Sequence, residues 1–118
     1  MKQLPICALI FMLLIGQSAQ TAGAATLGNE LQEWCTHSVN DTDQAKGNHC
    51  TGFLQGVSEF HDALVWLGLL DQLWCKPDAI QDKQLAELIL KYLESNPDRL
   101  QSAAADSVWF ALGENFRC

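Results

Sequence analysis

The 118-residue sequence is short of positive charge, with seven Lys and Arg against fourteen Asp and Glu. Binding to nucleic acid or to an anionic membrane surface needs clustered cations to meet phosphates, so this balance argues against both and suits a basic protein partner. The spacing of a metal centre is also missing. His37, His49 and His61 are too far apart to act as paired ligands, and neither a His-Glu-x-x-His run nor a Cys-x-x-Cys pair occurs. There is no phosphate loop, glycine-rich nucleotide fingerprint or nucleophile elbow, and so no cofactor is expected. Internal repeats, low-complexity linkers and segments with clean two-residue alternation are absent as well, which leaves helices as the building material.

The residues that remain make a poor enzyme. His49 adjoins Cys50, but adjacent helical residues point in different directions, and a disulfide-bonded sulfur is not a nucleophile. Glu59 with Asp62 and Asp41 with Asp43 are the close carboxylate pairs. On helix faces and turns they read as solvated surface and caps rather than as a general acid and base. The expectation is a protein that works by binding.

What is present begins with a leader. Lys2 gives a positive start, Ile6 to Ile15 is an apolar run too short to span a bilayer, and Ala22-Gly23-Ala24 fits the small-x-small cleavage rule. A signal peptide over residues 1–24, cut after Ala24, follows from this, and it takes Cys7 with it. The exported domain is then residues 25–118, free of the membrane after cleavage. Without Lys2 it is one unit more acidic than the −7 of the whole chain. Cys35, Cys50, Cys75 and Cys118 remain, an even number in a small exported domain, which argues for two disulfides with three possible connectivities. Cys118 ends the chain, where a terminus frays unless tied, and this favours pairing it with Cys75. Cys35 and Cys50 then pair as near neighbours at the end of one helix and the start of the next.

The fold expected is all-α, a small bundle of about five helices braced by two disulfides. A first helix runs from Asn29 through Cys35, and His37 to Asp43 reads as a turn. A central helix from near Asp43 to about Asp62 carries an apolar stripe at Cys50, Phe53, Val57, Phe60, Leu64 and Leu67. Gly52 and Gly56 beside that stripe imply that another backbone or a large side chain approaches closely. Ala63 to Leu70 is apolar almost all round, which fits either an interface or a helix sandwiched in the core. Pro77 ends that segment. A helix from Gln81 or Asp82 shows an apolar face of Leu85, Leu88, Ile89, Tyr92 and Leu93, and Asn96-Pro97 stops it. A polar loop, Ser95 to Ser102, leads to a last helix with Ala105, Val108, Trp109, Leu112 and Phe116 on one side.

An ordered series of short motifs carries a family resemblance: Gly28-Asn29-Glu30-Leu31 leading to Cys35; Cys50-Thr51-Gly52-Phe53-Leu54-Gln55-Gly56; Cys75-Lys76-Pro77; Lys91-Tyr92-Leu93 followed by Pro97; then Ala111-Leu112 and Phe116-Arg117-Cys118. It resembles the Rap/Tai family of type VI secretion immunity proteins over nearly the whole exported domain, departing from the family pattern at Phe53 and Arg117. The resemblance implies a periplasmic, all-helical protein that is not an enzyme. Such a protein forms a homodimer and protects its cell by plugging the active-site cleft of a peptidoglycan amidase effector. Carried onto this chain, the plugging surfaces are the helix His61–Leu70, with Trp66, Leu67 and Leu70, and the loop Ser95–Ser102, with Asn96, Asp98, Arg99 and Leu100. The competing expectation is a small periplasmic helical chaperone of the acid-stress type, which also uses a dimer with apolar surface.

Overall fold

The structure, a computed structural model, describes residues 24–118. The expected signal peptide, apart from Ala24, lies outside the described residues, as does Cys7. Apolar spacing and capping divide the described chain into four α-helices and one 3₁₀ turn. These are α1, Gly28–Asn40; α2, Gln44–Trp66; α3, Asp82–Ser95; the 3₁₀ turn Pro97–Gln101; and α4, Ala104–Asn115. The count of α-helices is therefore four rather than five among the described residues, because residues 67–81 pass from α2 to α3 without a helix of their own.

Each boundary has a local cause. Glu30 reaches back to accept from the Leu27 N–H (2.9 Å), and Asp43 accepts from the Lys46 N–H (3.1 Å), so α1 and α2 each start with a carboxylate on an orphan donor. At the C-terminus of α1 the left-handed Asp41 (φ 53°) and a Thr42 N–H to His37 carbonyl bond close the helix. The helix thus includes His37 to Asn40, which local polarity had suggested was turn. α2 ends in a Schellman motif. Gly68 takes φ 70°, its N–H bonds the Val65 carbonyl, and the Leu69 N–H bonds the Leu64 carbonyl, each at 3.0 Å. Asn96 closes α3 by donating its side-chain amide to the Tyr92 carbonyl (2.8 Å), and Pro97 prevents continuation.

The core collects Leu31, Leu54, Trp74, Leu85, Ile89, Leu93, Val108 and Leu112 with the disulfide of Cys35 and Cys50. α1 packs chiefly against α2 and α3, while α2 and the 3₁₀ turn do not meet. The stripe that α2 buries is rotated from the expected one. Cys50, Leu54, Ser58 and His61 are buried, Phe53, Val57 and Leu64 lie at the edge, and Phe60 and Leu67 are 62% and 58% exposed. A polar pair, Ser58 and His61, occupies positions that an apolar count passes over. The glycine expectation is overturned for the same reason: Gly52 and Gly56 are exposed, and a Cβ on either would meet nothing within 4 Å. Close approach occurs at Gly28 instead, where a Cβ would lie 2.2 Å from the Arg99 carbonyl oxygen. On α4 the buried face is Ala104, Ser107, Val108, Ala111 and Leu112, and Ala105 points outward.

Two covalent ties and one short pairing fix the ends. Cys35 bonds Cys50 and Cys75 bonds Cys118, the pairing expected from helix order and the frayed terminus. Near the other end, the Gly28 N–H bonds the Ser102 carbonyl (2.9 Å) and the Ala104 N–H bonds the Thr26 carbonyl (2.8 Å). These bonds clamp the chain ahead of α1 to the start of α4.

Candidate functional site

The surface that stands out is the C-terminal end of α2 with the strap that follows it, residues 67–81. Trp66 is 85% exposed and Leu69 72% exposed, with Leu67, Leu73 and the neighbouring Phe60 also open to solvent and Leu70 half-buried. An indole standing free on a small domain costs solvation and is not needed by the core. Beneath it lies a packed aromatic cluster. His61 is fully buried, stacked on the Trp74 ring (centroids 3.8 Å) and edge-on to Trp109 (5.7 Å), while Trp74 and Trp109 meet edge to face at 5.0 Å.

The hydrogen bonds of His61 fix its tautomer. The Leu73 N–H donates to Nε2 (3.2 Å), so Nε2 is the bare nitrogen, and Nδ1–H donates to the Asp62 carboxylate (2.9 Å). The imidazole therefore ties the strap to α2 on one side and orients an exposed carboxylate on the other. Next to it opens a cleft of about 460 Å³, lined by Val65, Trp66, Gln72, Trp74, Lys76 and Asp78 together with His61 and Asp62. The Cys75 N–H to Phe116 carbonyl bond (2.7 Å) and the Cys75–Cys118 bridge anchor the far side of the strap.

The second predicted surface is built differently. The 3₁₀ turn lies over Gly28, which the absent Cβ permits. The Arg99 guanidinium stands over the Phe110 ring, 4.8 Å from its centroid, a cation–π contact. Asp98 is exposed, while Asn96 is half-buried as the α3 cap and Leu100 is half-buried against the core. The turn and the α2 ridge do not touch. They are linked through α4, whose consecutive residues Trp109 and Phe110 face the His61 cluster and Arg99 respectively. Lys76, Asp78 and Phe110 were not singled out as contact residues in the sequence, and His61 and Asp62 entered only as part of the helix His61–Leu70. His61 was accessible to reasoning, since it extends the Cys50, Leu54, Ser58 row by one helical step.

Asp41, Asp43, His49 and Cys50, from the residue pairs that invited a catalytic reading, have structural partners. Asp43 caps α2, Asp41 pairs with Lys83 (3.3 Å), and His49 rests edge-on against Trp34 (5.2 Å) with Cys50 oxidised. Among the described residues no group of His, Cys, Asp and Glu is placed to hold a metal ion, and no helix is long and apolar enough to cross a membrane. The electrostatics concentrate on the α1–α2 hairpin, where Glu33 pairs with Lys46. The Lys46 hydrogen bond and charge hold the Glu33 carboxyl below its ordinary range, and the same pair raises Lys46.

Residues 27–118 match the family model for Rap1a immunity proteins. The chain belongs to the Rap1a immunity protein family. No curated protein and no solved structure matches it. For a Rap1a immunity protein the expected work is to bind a secreted effector, and a ridge of exposed aromatic and aliphatic residues on a disulfide-braced helical frame is suited to that work. The two disulfides also suit an oxidising compartment outside the cytosol.

Proposed function

We propose that this protein is exported by cleavage after Ala24 and acts in the periplasm, as residues 25–118, as the immunity protein of a type VI secretion amidase effector. It inhibits by inserting a surface into the amidase active-site cleft. The observation that carries the reading is the exposed Trp66 ridge on a chain that belongs to an immunity family. Trp66, Leu67 and Leu70 supply the apolar contact. Asp98 and Arg99 on the 3₁₀ turn supply a polar second contact, shaped by Asn96 and Leu100, and the protein works as a homodimer. The test is calorimetric titration of the purified protein into the amidase encoded beside it. The expected result is nanomolar binding with loss of peptidoglycan cleavage. Trp66→Ala should weaken binding by roughly a hundredfold, about 2.7 kcal/mol, without lowering the melting temperature, as expected for an exposed hot-spot indole. Absence of binding to any neighbouring amidase rejects the proposal.

A further inference from the structure

Asp62 and Trp66 lie four residues apart on α2 and so share one face of the helix. Both line the cleft beneath the ridge. Asp62 is not a loose surface carboxylate. Its side chain is 69% exposed, yet one oxygen is held by Nδ1–H of a fully buried histidine whose tautomer is set by the Leu73 backbone. Between Lys46 and Lys76 the sequence has no lysine or arginine, while Glu59, Asp62 and Asp71 fall in that interval and all three are exposed. Within the cleft two carboxylates, Asp62 and Asp78, stand against one ammonium, Lys76.

An oriented carboxylate beside an open indole face is the arrangement that holds a guanidinium, which bonds the carboxylate through its N–H groups and stacks on the ring. We propose that this cleft receives an arginine side chain of the partner protein, with Asp62 as its carboxylate, Trp66 as its wall and His61 as the residue that positions Asp62. The inference rests on the reading of the chain as an effector-binding protein and adds the chemistry that the effector must present. Near its own cleft the effector carries an exposed arginine, and electrostatic attraction to the acidic cleft beside the ridge speeds the encounter.

Two measurements on the full exported chain test this separately from the identity of the effector. In the first, argininamide and citrullinamide, its isostere with an uncharged side chain, are titrated while the Trp66 indole N–H resonance is followed, assigned by its loss in Trp66→Phe. Argininamide should shift the signal in a saturable way, citrullinamide should not, and Asp62→Asn should abolish the argininamide response. An equal response to both probes, or an unchanged response in Asp62→Asn, overturns the inference. In the second, Asp62→Asn should weaken effector binding about tenfold and flatten its salt dependence, since one charge-assisted contact is lost. Effector binding unaffected by Asp62→Asn overturns the arginine site and leaves the immunity function standing. An argininamide response with no effector binding does the reverse.

Discussion

At the scale of single residues, glycines separate the places where the fold is closed from those where it is open. Gly28 is buried because the 3₁₀ turn crosses it, and Ala there brings its Cβ to 2.2 Å from the Arg99 carbonyl oxygen, which is backbone and cannot rotate away. Gly28→Ala should therefore destabilise by about 1–3 kcal/mol, the usual cost of overpacking, read as a fall in melting temperature of roughly 4–8 °C per kcal/mol. Gly52 and Gly56 have open space around them inside an α-helix. Ala at either should stabilise the isolated domain by about 0.5–1 kcal/mol, through lower backbone entropy in the unfolded chain. Measured on the same protein, these two signs also test the partner surfaces. If Gly52→Ala raises the melting temperature but weakens dimer or effector binding, that face of α2 is covered in the complex.

At the scale of elements, the legible parts were those whose burial follows apolar spacing. α3 shows this best: Leu85, Ile89, Tyr92 and Leu93 are buried as their three- and four-residue steps demand, and Asn96-Pro97 ends the helix where the sequence says it must. α2 was legible as a helix but not as a surface. Its buried row includes the polar residues Ser58 and His61, the latter held by Leu73 twelve residues on, and burial at that row turns Phe60 and Leu67 to solvent. The contacts that make the site, Leu73 on His61 and Arg99 on Phe110, join residues about ten apart with no periodic signal to announce them. The α1–α2 hairpin makes a further prediction. Glu33 is held below its ordinary carboxylate range by Lys46, and Asp43 is lowered chiefly by the Lys46 backbone N–H. A depressed folded value contributes stability above the unfolded value and loses it as pH falls through the folded one. Stability should thus decline on acidification through and below the carboxylate range, and Glu33→Gln with Asp43→Asn should flatten that decline. Lys46 is raised, so its contribution persists below its unfolded value and is lost as pH rises through the folded one. Urea midpoints measured across pH check both limbs; because these groups are exposed, solvent screening keeps the amplitude small.

At the scale of the whole molecule, two bridges divide the chain into closed loops of unequal size. Replacing both Cys35 and Cys50 by Ala should cost about 3 kcal/mol, and replacing both Cys75 and Cys118 about 4 kcal/mol. The separations are 15 and 43 residues, and the entropy of closing a loop grows with its length. Denaturant unfolding without reductant measures the difference. The second pair should also disturb the strap, since Cys75 anchors it beside Trp74.

The same two bridges decide what a single break in the backbone does. From Cys35 to Cys118, a cut inside residues 35–50 or inside 75–118 leaves both fragments joined through sulfur. A cut between Cys50 and Cys75 is spanned by neither bridge. That interval contains the Trp66 ridge and the strap as far as Trp74. The ridge proposed to meet the partner thus lies in the one stretch between Cys35 and Cys118 at which a protease can part the molecule in two. A light digest run without reductant should show separated halves only when cleavage falls there, and a bound partner covering the ridge should suppress them.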